Sequence, residues 1–149
     1  MFRLTGLHVL APVRLAPDSR FDLVAAADWF GLADRDGRAD MVVTVSAGES
    51  AGLGGRVAEI RELARERAFG RMTVDAVPAG RVGQNGLAPP LAGELQTGGM
   101  RQTMAFCCRA REWSPDVAAW ATEIFVDALR ASGAAHPALI TVSVPDTLP

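Results

Sequence analysis

The chain has 149 residues, 49% of them hydrophobic and 21% charged, with a formal charge of −2. That is the composition of a single globular domain, 1–149, able to bury roughly 68–70% of the surface of its unfolded chain. A near-neutral chain with no basic stripe excludes nucleic acid as the main partner, because neutralising phosphates requires concentrated positive charge.

The first seven residues, Met1-Phe2-Arg3-Leu4-Thr5-Gly6-Leu7, lack the apolar run and small-residue cleavage site of a secretion signal. No stretch reaches the ~18 apolar residues of a membrane span. The expectation is a soluble, cytoplasmic domain without a membrane partner. Leu7, Val9, Ala11, Val13 and Leu15 alternate with other residues, which predicts a strand. Pro12 cannot donate to a ladder, so that strand is placed at a sheet edge. Residues 21–32 fit two patterns: Phe21, Val24, Ala27 and Phe30 at helical spacing, or Phe21, Leu23, Ala25, Ala27 and Trp29 alternating as a strand. The Asp34-Arg35-Asp36-Gly37 turn favours a hairpin there.

Met41, Val43, Val45 and Ala47 predict the next strand, followed by the glycine-rich connection 48–55. The spacing of Val57, Ile60, Leu63 and Ala64 predicts a helix over 56–68, with mixed charges on its open face and Gly70 ending it. Met72, Val74 and Ala76 suggest a strand, residues 78–90 a long loop, and 91–99 the first arm of a hairpin. Its return arm puts Met100, Gln102, Met104, Phe106 and Cys108 on one face and Arg101, Thr103, Ala105, Cys107 and Arg109 on the other. Ser114-Pro115-Asp116 supplies a hydroxyl cap, a proline at the first helical position and an acid at the positive end of the dipole. The helix it starts runs over 115–132, with Val117, Trp120, Ala121, Ile124 and Ala128 inward and Gly133 closing it. Ala138, Ile140, Val142 and Val144 form a final strand. The fold class is therefore α+β: a largely antiparallel sheet of five to seven strands with two main helices, 56–68 and 115–132.

Residue types that are missing narrow the chemistry. All fifteen basic residues are arginine and there is no tyrosine, so Schiff-base lysines, P-loop lysines and tyrosine acids are excluded. Exclusive arginine also fits a GC-rich bacterial coding background. Any anion contact through a cation must be a guanidinium fork. Cys107 and Cys108 are neighbours on a strand and point to opposite faces, so they cannot chelate one metal. Cys108 reads as a small core residue, and Cys107 as a thiol facing arginines. His8 and His136 have no carboxylate at ligand spacing, so no metal is expected. Asp75, set between Val74 and Ala76, is the acid most open to burial by the fold.

Glu49-Ser50-Ala51-Gly52-Leu53-Gly54 followed by Arg56-Val57-Ala58-Glu59-Ile60 resembles the acyl-CoA-binding segment of GNAT acyltransferases. That resemblance implies Gly52 and Gly54 as phosphate-facing positions. Glu49 stands where the family has Gln or Arg, and the family's tyrosine acid has no counterpart. Over residues 21–132 the order of elements, with the arms Leu91–Gly99 and Met100–Phe106, resembles Mog1/PsbP-like (DcrB-type) domains. Members of that class are mostly non-enzymatic and bind protein partners.

The leading expectation is a non-catalytic accessory or chaperone-like module that binds a protein partner through its sheet or an apolar groove, without a cofactor. Arg101, Thr103, Arg109 and Arg111 are its candidate interaction face, since arginine is favoured at interfaces. The alternative is a small biosynthetic enzyme of the cyclase or isomerase type, which positions a hydrophobic small molecule between sheet and helices. Asp75, His8, Asp28 and Trp29 are its candidates. A GNAT-like acyltransferase is the third reading. An edge strand is also compatible with a homodimer.

Overall fold

The computed structural model describes residues 4–15, 20–48, 55–78, 102–134 and 136–145. Along the chain lie β1 (Gly6–Ala11), a 3-10 turn (Val13–Leu15), α1 (Arg20–Phe30), β2 (Ala39–Ala47), α2 (Val57–Arg67), β3 (Thr73–Ala76), β4 (Gln102–Ala110), α3 (Pro115–Ala131) and β5 (Ala138–Ser143). The strands form one sheet in the order β1-β5-β2-β4-β3, and every neighbouring pair is antiparallel. The α+β class expected from the sequence is the one observed.

Each helix connects two parallel strands that have a third, antiparallel strand between them. The stretch from β2 to β5 is thus a βαββαβ unit with strand order β5-β2-β4-β3, the split arrangement of ferredoxin-like topology. β1 extends it on the β5 side, and α1 packs on the other two helices.

Patterning accounts for most elements. On β2, Met41, Val43, Val45 and Ala47 face the helices, and Met104, Phe106 and Cys108 of β4, Ile140 and Val142 of β5 and Val74 of β3 join them. The Phe106 and Phe125 rings meet at 5.0 Å across the sheet–helix interface, and Phe30 meets Trp120 at 5.0 Å. Burying side chains of this size contributes about 1.5–3 kcal/mol each. At the start of α3 the Ser114 Oγ accepts from the Val117 amide at 3.2 Å, with Pro115 behind it. Such a cap stabilises a helix by about 1 kcal/mol. Gly70 (φ +74°) and Gly133 (φ +87°) take the left-handed turns that end α2 and α3.

Two expectations are corrected. Residues 20–30 form a helix rather than a hairpin arm: Leu23, Ala27 and Phe30 are buried while Trp29 is 68% exposed. The i, i+4, i+7 set outcompetes the alternating set, aided by the helix-favouring run Ala25-Ala26-Ala27. This helix joins the two main helices expected from the sequence, both of which are observed. The first strand stops at Ala11, where Pro12 removes a donor and the chain turns; the strand does lie at a sheet edge. Of the predicted loop 78–90 all but residue 78, and the whole predicted hairpin arm 91–99, lie outside the described residues.

β3, the other edge strand among the described residues, is protected. Arg61 of α2 donates from Nε to the Val74 carbonyl at 3.3 Å and lies 3.9 Å from the Asp75 carboxylate. A guanidinium on the open edge and a charge in the strand both discourage further pairing.

Candidate functional site

The topology gathers arginines at one end of the sheet. β2 and β3 start there and β4 ends there, with Ala39 opposite Ala110 and Thr73 opposite Arg109. Continuing those registers past the strand ends sets Arg38 opposite Arg111 and Arg71 opposite Arg111. Arg38, Arg111 and Arg71 thus stand side by side at the same end of three neighbouring strands, as a row. Together with Arg109 they line an open cleft of ≈ 220 Å³ whose walls contain no carboxylate.

Two glycines shape this cleft. Gly37 packs directly on the Arg111 carbonyl oxygen, so close that a Cβ would overlap it. A Cβ on Gly31 would lie 2.7 Å from the Arg71 Cζ. The α1–β2 connection can therefore press against both arginines only because these positions lack side chains. Its turn is held by the Asp34 carboxylate, which accepts from the Asp36 amide at 3.0 Å, and by the Gly37 amide, which donates to the Asp34 carbonyl at 3.1 Å.

The four guanidinium groups differ in how far they are satisfied. Arg109 Nε donates to Asp40 Oδ1 at 2.7 Å, which holds the Asp40 carboxyl below its ordinary value through the hydrogen bond and raises Arg109 in return. Arg111 Nη1 donates to the Gly31 carbonyl at 3.0 Å and the Ala33 carbonyl at 3.3 Å. Arg38 Nη1 donates to the carbonyls of Gly37 (2.7 Å) and Arg35 (3.0 Å). The Arg71 guanidinium has no hydrogen-bond or ion-pair partner among the described residues, its amide alone donating to the Ala68 carbonyl at 2.9 Å. Like charges on opposed strand positions repel, and Asp40 alone does not balance four cations. The arrangement is suited to an external anion, which guanidinium groups bind through paired N–H donors.

Apolar groups stand exposed beside the cleft. Phe69 precedes Gly70 on its wall, is 42% exposed and has a φ of +49°. A left-handed non-glycine residue costs about 1–2 kcal/mol, so this turn holds a phenylalanine where glycine would be unstrained. Leu32, next to Gly31, is 80% exposed, and Trp29, one helical turn earlier, is 68% exposed.

Of the residues singled out from sequence, Arg109 and Arg111 lie in the cleft. Thr103 lies on the sheet face away from the helices, where its Oγ1 is 3.1 Å from Ser46 Oγ; Arg101, Gly52 and Gly54 lie outside the described residues. The residues named for catalysis are not brought together. His8 is on edge strand β1, its Nδ1 sharing a hydrogen bond with Thr141 Oγ1 at 3.0 Å. Asp75 is on the opposite edge strand, exposed and near Arg61, four strand spacings or about 19 Å away. Asp28 is exposed on α1, on the helix side. Cys108 is buried and its thiol is pushed far up by burial, whereas Cys107 is exposed.

Arg38 and Arg71 were not singled out from sequence. In a chain whose cations are all arginine, the residue type carries no signal. The available signal was positional: each follows a glycine at a turn just before a strand, and the strand order makes those turns neighbours.

A second arginine cluster joins the helices. Asp127 of α3, 1% exposed, accepts from Arg67 Nε of α2 and from Arg130 Nη2 at 2.6 Å. Burial acts to raise its carboxyl, but the hydrogen bonds from Arg130 and Arg67 and their charges outweigh it, and the net shift is downward.

Among the described residues no group of His, Cys, Asp and Glu is arranged to hold a metal ion, and no helix is long and apolar enough to cross a membrane. Comparisons with protein-family models, curated proteins and solved structures find no match.

Proposed function

We propose that this domain is a non-catalytic binding module that engages a protein partner through the arginine-lined end of its sheet. The observation that carries this reading is the row Arg38–Arg111–Arg71 with Arg109, lining a cleft without a carboxylate and leaving Arg71 unpaired among the described residues. Guanidinium groups already aimed by carbonyls of the α1–β2 connection lose little freedom when an anion arrives, which favours affinity. The enzyme reading has less support. Its candidate residues are spread over both sheet edges and α1, and the Phe106–Phe125 pair fills space between sheet and helices that a substrate would need.

The test is fluorescence anisotropy with labelled acidic and basic peptides of equal length. Saturable binding of the acidic peptide, weakened by added salt and by Arg71→Glu, is expected. Equal binding of both peptides, or an acidic-peptide affinity untouched by Arg71→Glu, would overturn the reading.

A further inference from the structure

The cleft alone does not account for Phe69, Leu32 and Trp29. Each is a large apolar side chain left exposed, at 42%, 80% and 68% respectively. Two of them adjoin residues that build the cleft. Phe69 is two residues from Arg71, so their Cα atoms are no more than about 7 Å apart. Leu32 follows Gly31, which lies against the Arg71 guanidinium. Trp29 precedes Leu32 by one helical turn, and its carbonyl accepts from the Leu32 amide at 3.0 Å. The three apolar residues thus lie on the two chain segments that flank Arg71, the end of α1 and the turn between α2 and β3.

We propose that the arginine cleft and these three residues form one composite docking surface for a short acidic segment of another protein that carries an apolar anchor residue. This rests on the reading of the cleft as an anion-binding site. Carboxylates of the segment pair with Arg71 and with the other guanidinium groups lining the cleft. The anchor packs on Phe69 and Leu32, with Trp29 at the margin. Charge complementarity selects this occupant: the cleft walls offer four cations and no carboxylate, so a neutral or basic apolar segment would leave Arg71 unpaired or repelled. An acidic segment without an anchor would leave the aromatic and aliphatic surface in water. Arginine and aromatic residues side by side are also the composition of interface hot spots.

The experiment uses the whole chain and three synthetic peptides: Asp/Glu-rich with one central Leu, the same with Ser in its place, and a Lys-rich version with the Leu. Binding is followed by calorimetry and by tryptophan emission, with Trp29→Phe identifying the contribution of Trp29. The anchored acidic peptide should bind about tenfold more tightly than the Ser version, the effect of covering part of a leucine side chain. It should also shift Trp29 emission to shorter wavelength, and the Lys-rich peptide should not bind. Phe69→Gly keeps the backbone, since glycine is unstrained at a positive φ, and should abolish the preference for the anchored peptide while leaving the Ser version unaffected. Arg71→Gln should weaken both acidic peptides. Equal affinity for the two acidic peptides, or a preference that survives Phe69→Gly, overturns the composite surface and leaves the anion-binding cleft standing. Failure of both acidic peptides to bind overturns the composite surface and the anion-binding cleft together.

Discussion

Two arginine clusters sit in one small domain, and they treat charge in opposite ways. Between α2 and α3, Arg67 and Arg130 converge on a single buried carboxylate, Asp127. At the sheet end four arginines converge while the nearest paired carboxylate, Asp40, is exposed and bonded to one of them. Desolvation explains the contrast. A cation taken out of water must meet a counter-charge inside the protein, or the fold loses several kcal/mol. A cation at an open cleft is still hydrated and can wait for a counter-charge from outside. The buried cluster therefore determines stability, and the open one is available for binding.

The largest effect should come from breaking the buried cluster. Asp127→Ala leaves Arg67 buried without its carboxylate and should cost about 3–5 kcal/mol in urea denaturation. That is a large share of the about 5–15 kcal/mol that stabilises a typical domain. A loss near 1 kcal/mol would mean that the Arg67 side chain swings out to solvent and that the contrast with the cleft is weaker than drawn. The paired replacement Arg67→Met with Asp127→Leu should recover most of the loss, because apolar groups of similar volume do not need a partner.

Acidification probes the same cluster without a mutation at neutral pH. The Asp127 carboxyl lies below its ordinary value in the folded chain, so its contribution is fully present above the unfolded value of about 3.9. It is lost as pH falls through the lower folded value. The stability gap between the natural chain and Asp127→Asn should be constant from neutrality to about pH 4 and narrow below it. A gap that narrows between pH 7 and 5 would point to another group.

Next in size is the glycine that seats the α1–β2 connection. Gly37→Ala puts a methyl group into the Arg111 carbonyl, and backbone cannot yield as a side-chain tip does. A loss of about 1–3 kcal/mol is expected, with weaker binding of acidic peptides as the turn lifts away. Full stability in this variant would show that the turn can move without disturbing Arg111.

What the sequence revealed and what it hid follow from the range of the interactions concerned. The capped start at Ser114-Pro115 and the alternation of Met41, Val43 and Val45 are local, and both elements appear as read. Residues 20–30 satisfied two periods at once, and packing of Phe30 on Trp120 and burial of Leu23 separated them, with the alanine run 25–27 in support. Arg67, within the predicted helix 56–68, carried no signal of its own because its partner lies sixty residues away on another helix. The cleft was half legible: Arg109 and Arg111 stand on one strand and its exit, within reach of an alternation argument. Arg38 and Arg71 join them only through the crossovers that carry β2 and β3 to either side of β4.

Gly31→Ala sharpens the comparison at the smallest energetic cost. The added methyl would meet the far end of the Arg71 side chain at 2.7 Å, and a flexible guanidinium can move aside. Thermal stability should change by no more than about 0.5 kcal/mol, the range of ordinary surface substitutions. Arg71→Gln should fall in the same range, since no partner among the described residues is lost. Binding should nevertheless respond: Gly31→Ala moves the unpaired guanidinium out of the arginine row and should weaken an acidic peptide several-fold, with Arg71→Gln weaker still. The two variants combined should bind no worse than Arg71→Gln alone, because both act on one group. Additive losses would place the effect of Gly31 in the path of the α1–β2 connection instead. A drop in stability comparable to that of Asp127→Ala would mean that Arg71, too, belongs to the folded core rather than to the open cleft.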